Sequence, residues 1–219
     1  MYEGFIKTTK EKYLHRKYSC ERQDEFAYHI IGKRLKRKGY FLDVACGHPL
    51  DANNTYLLEK MLGWDGLSID CTDIENVCSW SEFRNTKFCV GDVRTPQLTD
   101  IITQAIKTTD VDYLSIDVDH AETQLSHLAF EKIFNAGITF KAMNIEHESF
   151  KHGDLVIKYT RDYLFRSGYH LLFQDVAFPN GGPFEDWWID PKCINHSPDL
   201  TKTYSNLNYN QCIDIAEKL

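Results

Sequence analysis

Three absences narrow the classes to which this sequence of 219 residues can belong. It has no run of about 18 apolar residues, the length that a membrane-spanning helix needs, and its first four residues lack the apolar core of a signal peptide. Its seven cysteines are an odd number without a C-x-x-C pair, which argues against a disulfide framework and a structural zinc site. With 42% hydrophobic and 26% charged residues, the composition predicts a cytoplasmic protein of one globular domain.

The sequence also lacks a G-x-G-x-x-G turn after its first predicted strand. That turn brings a backbone close to the pyrophosphate of a dinucleotide, so its absence disfavours an NAD-dependent oxidoreductase. We find no internal repeat and no low-complexity linker. The chain therefore reads as one continuous unit with short connections.

Charge is divided unevenly along the chain. The first 40 residues hold 11 Lys and Arg against 5 Asp and Glu, the remainder holds 14 against 27, and the formal net charge is −7. Nucleic-acid binding needs a basic surface larger than one helix face, so the acidic body predicts no nucleic-acid partner. Apolar residues at helical spacing predict an amphipathic helix over residues 22–38 that packs on the body.

Each of four short apolar runs carries an acid. Asp43 lies within the first run, and Asp70, Asp92 and Asp117 follow the other three. Buried parallel strands read as such runs, and open α/β sheets bind ligands outside the carboxyl ends of their strands. An acid at the end of the second strand can bind the hydroxyls of a ribose. We therefore predict that Asp70 grips a nucleoside ribose and that Asp92 with Val93 borders the adenine, although each acid could instead cap the next helix.

Further strands are predicted near residues 140–146, 169–176 and 184–189, with helices between the runs. The last two strands are joined by residues 179–183 (PNGGP), which is hairpin chemistry. The expected fold is a Rossmann-like, doubly wound α/β fold, with a seven-stranded, mostly parallel sheet that finishes in an antiparallel hairpin strand. We divide the chain into a basic helical segment (1–39), a catalytic domain (40–192) and a C-terminal extension (193–219).

Several blocks together resemble the FkbM family of S-adenosylmethionine-dependent methyltransferases. They are residues 41–47 (FLDVACG), 54–60 (NTYLLEK), 63–70 (GWDGLSID), 112–122 (DYLSIDVDHAE), 168–172 (GYHLL) and 175–178 (DVAF). The resemblance covers roughly residues 40 to 190. It implies S-adenosylmethionine as cofactor and O-methylation of a hydroxyl, commonly on a sugar or a polyketide-type product.

The resemblance also implies the cofactor contacts, and here the sequence departs from the family pattern. The implied cofactor-binding residues, beside those predicted above, are Asp43, Ala45, Gly47, Asn54, Cys71 and Asp117. Ala45 and Pro49 stand where the family has glycines. His120 also stands at a position where the family tends to have glycine. Glycine permits close approach to a ligand, whereas proline fixes φ and removes an N–H donor. The alternative function is accordingly a non-catalytic nucleoside-binding protein derived from a methyltransferase.

Catalytic candidates follow the fourth and fifth strands. His147 is our first prediction for the base that takes the hydroxyl proton, because a neutral imidazole titrates near working pH, with Glu146 beside it and His120 as the second choice. Alternatively, Asp117, Glu146 and His147 could hold a divalent metal, Mg²⁺ or Mn²⁺, that orients a sugar diol. The predicted partner is a small-molecule or glycan acceptor, and the sequence leaves room for a homo-oligomer.

Overall fold

An eight-stranded sheet organises the protein in a computed structural model that describes residues 18–71, 74–118, 125–193 and 198–219. The strands are β1 (Tyr40–Val44), β2 (Asp65–Asp70), β3 (Lys87–Val90), β4 (Asp110–Ile116), β5 (Thr139–Glu146), β6 (His170–Ala177), β7 (Pro183–Ile189) and β8 (Tyr204–Ser205). The helices are α1 (Gln23–Ile30), α2 (Tyr56–Leu62), α3 (Ile74–Phe83), α4 (Gln97–Ala105), α5 (Ser126–Asn135), α6 (Ser149–His152), α7 (Leu155–Arg166) and α8 (Tyr209–Ala216), with 3-10 turns at Gly32–Arg34 and Pro198–Thr201. Within these ranges, no helix combines the length and apolarity needed to span a lipid bilayer.

The strand order is β3-β2-β1-β4-β5-β7-β6-β8. β7 runs antiparallel to β5 and to β6, and the other neighbours pair in parallel. The Rossmann-like fold and its antiparallel hairpin strand are therefore confirmed, but the predicted count of seven strands is wrong. The eighth strand, two residues of the C-terminal extension that pair with Phe173 and Gln174 of β6, is too short to leave a periodic signal in the sequence.

Each face of the sheet packs against its own core, because successive side chains of a strand point to opposite sides. One core contains Trp188 together with Val156 and Leu164 of α7. The other contains Trp187 together with residues of α1 and α8. Both tryptophans are fully buried, so neither is exposed for stacking on a ligand in this structure.

The N-terminal helix is shorter than the sequence predicts. α1 ends at Ile30, and a 3-10 turn follows it where the amphipathic pattern had continued to residue 38. Phe26 and Ile30 are fully buried in the core beneath the helix. The basic run beyond it bonds to the body, since Arg37 contacts the Asp112 carboxylate at 2.7 Å. Repulsion within that run and these external contacts favour an irregular path over more helix.

One buried arginine fixes the segment between β1 and α2. The Arg84 side chain is fully buried, and its Nε donates to Glu59 Oε2 at 2.5 Å. Its Nη1 donates to Asn53 Oδ1 at 2.8 Å, and its Nη2 donates to Thr55 Oγ1 at 3.0 Å. The Trp80 ring covers the guanidinium at 4.7 Å from its centroid. A charge can be buried in this way because every face of it is paired or hydrogen-bonded.

Replacement of Arg84 should destabilise the protein strongly. Arg84→Met leaves the Glu59 carboxylate without its buried partner and with only the more exposed Lys60, at 3.0 Å, as a cation, and breaking a buried pair typically costs about 3–5 kcal/mol of the free energy of unfolding. Arg94→Met is the matched control, because Arg94 pairs with Asp92 at the surface with 56% of its side chain exposed, and such pairs contribute about 0–1 kcal/mol. Urea unfolding of both variants measures the difference. Equal losses would contradict the structural role of Arg84.

The same pair predicts an acid-sensitive stability. Burial raises the pKa of the Glu59 carboxyl, but Arg84, the Asn85 N–H and the Thr86 hydroxyl outweigh burial and lower the pKa to about 2. Because the folded pKa lies below the unfolded value, this contribution is present above about pH 4.5 and is lost as the pH falls towards 2. Glu59→Gln should flatten the loss of unfolding free energy over that range, whereas Glu131→Gln, on an exposed part of α5, should not. Parallel pH profiles of Glu59→Gln and wild type would refute the assignment.

Candidate functional site

The loop that follows β1 is tied to the end of β2. The Gly47 N–H donates to Asp70 Oδ2 at 2.8 Å, and the Ala45 and Cys46 N–H groups donate to the Ile69 carbonyl at 2.8 and 3.2 Å. Asp70 is only 6% exposed. Asp70, the predicted ribose acid, and the loop after β1 therefore meet at one point on the carboxyl edge of the sheet.

This loop adopts a left-handed conformation at one glycine and at one alanine. Ala45 and Gly47 both have φ of 60°, in the left-handed region that costs a non-glycine residue about 1–2 kcal/mol. A Cβ added to Gly47 would meet no heavy atom within 4 Å, so the backbone there borders open space. Ala45 therefore takes a conformation that glycine favours, and Gly47 has room for a ligand against the backbone.

Asp43 and Asn54 lie beneath this loop on the face that α1 covers. Asp43 is 1% exposed and accepts a hydrogen bond from the Thr55 hydroxyl at 2.8 Å. Burial raises the pKa of the Asp43 carboxyl to about 6, against the lowering effects of Thr55 and Arg84. The Asn54 Nδ2 donates to Ser115 Oγ at 3.0 Å, which connects the loop to β4.

The structure does not bring every predicted cofactor residue to this point. Asp92 holds Arg94 at 2.6 Å near the surface, and the hydrogen bond from Arg94 lowers the pKa of the Asp92 carboxyl. Val93 is buried in the core, and Cys71 is exposed just beyond Asp70. Asp117, at the end of β4, has its backbone N–H bonded to the Val44 carbonyl at 3.3 Å. His120 lies outside the described residues.

Glu146 and His147 close β5 but face opposite sides of the sheet. Ala142 belongs to the core under α1 and Ile145 to the core under α7, so strand alternation directs Glu146 towards α1. His147 is turned the other way, with its Nε2 at 3.7 Å from Asp186 Oδ1. A metal site formed by Asp117, Glu146 and His147 therefore does not assemble among the described residues, where the one group with metal-ligand geometry is a different trio.

That trio is His147, Asp175 and Asp186, whose possible ligand atoms lie within 4.8 Å of one another. Arg161 of α7 already binds both carboxylates, with contacts of 2.6 Å to Asp175 and 2.7 Å to Asp186. The His147 Nδ1 accepts the Ser149 N–H at 3.2 Å, so the ring of the neutral imidazole carries its proton on Nε2. A metal-bound histidine has the reverse arrangement, in which the other nitrogen donates. The donor set does not fit a divalent cation.

Sequence reasoning missed Arg84, Arg161, Asn144 and the adjacent acids of β7. Arg84 and Arg161 are isolated in the sequence, and only the fold brings them to their partners. Glu185 and Asp186 did carry a signal, because two acids stand at the start of an otherwise apolar strand. Buried acids in a strand interior are uncommon unless they are paired or functional.

The comparisons with known proteins bear on the fold. No protein-family model and no curated protein matches this sequence. The structure is similar to that of the Dnmt2 methyltransferase of S. pombe, with a TM-score of 0.54 and 13% identity over 83% of this chain and 55% of that chain. It is also similar to human methyltransferase-like protein 13 in complex with SAH, with a TM-score of 0.52 and 11% identity over 91% of this chain and 93% of that chain. The fold is that of the class I S-adenosylmethionine-dependent methyltransferases.

A third structure agrees with this methyltransferase fold. It is a human methyltransferase 10 domain containing protein, with a TM-score of 0.50 and 12% identity over 77% of this chain and 80% of that chain. At such sequence identities the likeness shows the fold alone, and the chemistry has to be inferred from the residues of the site. The strand order from β3 to β6, with the topological switch between β1 and β4, puts the Gly47 loop where open α/β sheets bind ligands.

Proposed function

We propose that this protein is an S-adenosylmethionine-dependent methyltransferase that methylates a hydroxyl of a sugar, glycan or related small molecule. The observation that carries the proposal is the Gly47–Asp70 contact at the switch point of a methyltransferase fold. The sequence blocks that resemble the FkbM family support the same activity and are the reason for proposing oxygen as the acceptor atom.

The residues at this edge fit the cofactor. Asp70 keeps acceptor capacity for ribose hydroxyls beyond the Gly47 N–H, because a carboxylate has about four lone-pair positions. The open space above Gly47 gives a ligand access to the backbone, and Asp43 supplies a negative charge near the loop. When bound, the cofactor supplies an electrophilic methyl group. The role of the protein is then to hold the acceptor hydroxyl in line and to remove its proton.

We propose Glu146, ahead of His147, as the base that takes the proton of the acceptor hydroxyl. His147 has its Nδ1 lone pair committed to the Ser149 N–H, and its Nε2 faces two carboxylates that Arg161 also binds. Glu146 lies at the end of β5 on the same face as Asp43 and Ser115, the face that carries the loop. We propose no metal in this step, because the trio on the other face has the wrong tautomer and is neutralised by Arg161. His147 and His120 remain the alternative bases.

A second function is favoured by one observation. Ala45 occupies a left-handed conformation and Pro49 follows it, so the loop departs from the glycine-rich pattern. A nucleoside-binding protein without catalysis would have the cofactor site and lack turnover. Formation of S-adenosylhomocysteine during incubation with sugar acceptors separates the two functions.

Cofactor binding is the first test. Calorimetric titration of wild type with S-adenosylmethionine should show binding, and NAD should show none. Asp70→Ala should weaken binding by about 1.5–3 kcal/mol, the typical loss of a charged hydrogen-bond acceptor. Asp65→Ala is the matched control at the opposite end of β2, where Asp65 pairs with Lys107 at the surface. Unchanged affinity in Asp70→Ala would reject this placement of the ribose.

The base is tested by two conservative variants assayed for methyl transfer. Glu146→Gln should lose about 10²- to 10⁴-fold in turnover while cofactor binding persists, as expected for a general base. His147→Gln should lose far less, and rates should be equal in excess EDTA and in Mg²⁺. A larger loss in His147→Gln than in Glu146→Gln would return the role to His147. A requirement for Mg²⁺ would overturn the metal-free mechanism.

A further inference from the structure

An asparagine in the middle of the sheet has no hydrogen-bond partner. Asn144 of β5 is fully buried, and neither its amide nitrogen nor its amide oxygen is bonded. An unmade bond of this kind costs about 1–3 kcal/mol for each buried group, and nearly all buried polar groups in native proteins are bonded. Because nothing in the described structure offsets this loss of stability, the unbonded amide points to a ligand that completes its hydrogen bonds.

The neighbours of Asn144 are polar as well. Its register partners are Ser115 of β4 and Trp187 of β7, and the side chains lie on the face that α1 covers. Tyr113, a diagonal neighbour on β4, is also fully buried with an unbonded hydroxyl. Two unbonded polar side chains on adjacent strands and one face form a single locus.

Glu185, the diagonal neighbour on β7, adds a buried carboxyl to this locus. It is 1% exposed and accepts hydrogen bonds from the Trp187 indole N–H and, at 3.5 Å, from the Gln23 amide. Both donors are neutral. Its direct register partner is Glu146, another buried acid, and like charges directly opposite in a sheet are destabilising.

The surroundings of Glu185 lack a countercharge. Burial raises the pKa of the Glu185 carboxyl well above its usual range, and the nearby Asp117 and Glu21 raise it further, so the carboxyl is shifted towards its neutral form until a cation binds beside it. Asp24, at the start of α1, is 3% exposed, and burial together with Glu25 raises the pKa of its carboxyl. Within the described part of the chain, no lysine or arginine bonds to Glu185 or Asn144.

We propose that Asn144 and Glu185, which lie on the sheet face that α1 covers, bind a protonated amine of the methyl acceptor. Glu185 is its charge partner and Asn144 its hydrogen-bond partner. The acceptor is accordingly a hydroxyl compound that carries an ammonium group, of the amino-sugar class, and this assignment rests on the proposed methyltransferase function. β7 lies two strand spacings from β4, about 10 Å, which separates the amine locus from the loop at β1.

The opposite charge is disfavoured at this locus. A phosphate or carboxylate on the acceptor would lie beside the Glu185 carboxyl and would favour its neutral form, so no charge pair could form there. A neutral hydroxyl could bond to Asn144 but would give the Glu185 carboxyl no countercharge. The ammonium satisfies both residues together.

Binding of simple sugars tests the charge requirement. Calorimetric titration of the full chain with glucosamine, glucose and N-acetylglucosamine compares one ring with and without the positive charge. We expect glucosamine to bind at least tenfold more tightly than either neutral sugar, and Glu185→Gln to lose at least tenfold for glucosamine alone. Equal affinities, or no binding of glucosamine by protein that binds S-adenosylmethionine, would overturn the proposal. Loss of S-adenosylmethionine binding itself would instead refute the proposed function.

Stability of the ligand-free protein gives an independent readout. If Asn144 and Glu185 serve a ligand, Asn144→Leu and Glu185→Gln should raise the thermal midpoint, because the first removes an unbonded amide and the second removes a buried ionisable group that has no countercharge. Ser115→Ala is the matched control in the same row of the sheet, and it should lower the midpoint because Ser115 bonds to Asn54. Lower midpoints in both test variants would show that the two residues serve the fold, and would overturn the proposal.

Discussion

The candidate cofactor site depends on the buried contact between Arg84 and Glu59. The loop after β1 contains a left-handed Ala45 and a proline at position 49, so its local preferences do not favour the conformation that it adopts. Arg84 imposes that conformation from below through Asn53, Thr55 and, at 3.3 Å, the Pro49 carbonyl. Strain of about 1–2 kcal/mol at one residue is small against a buried ion pair whose disruption costs several.

The two-residue period of the strands explains how the chemistry is distributed. Asp43, Ser115 and Asn144 occupy matched positions on β1, β4 and β5, so they form one polar row on the face that α1 covers. Residues at the next positions along these strands, such as Val44 and Ile145, belong to the apolar core of the other face. At the end of β5 the same period separates Glu146 from His147, and only one of them remains on the side of the loop.

The sequence predicted the parts of the fold that depend on local pattern. Strand ends marked by acids and the antiparallel hairpin are local signals, and the structure contains both. The length of α1 was not predictable from apolar spacing, because contacts such as Arg37 with Asp112 compete with further helix. The contacts around His147 could not be predicted from the sequence either, since Arg161 and Asp186 belong to other elements of the fold. The sequence predicts a missing glycine at position 45, whereas Ala45 itself takes the left-handed conformation, with its N–H bonded to the Ile69 carbonyl.

The two halves of the candidate site differ in how firmly their parts are held. The loop side is fixed by short charged contacts, including 2.5 Å from Arg84 to Glu59 and 2.8 Å from Gly47 to Asp70. The other side has the 3.5 Å contact between Gln23 and Glu185 and the unbonded Asn144. Charged hydrogen bonds are both shorter and stronger than neutral ones, so the loop side of the site is held by the stronger bonds. A ligand that bonds to the native state alone adds its binding free energy to stability, and the second half of the site has the larger unmet bonding capacity for such a ligand to satisfy.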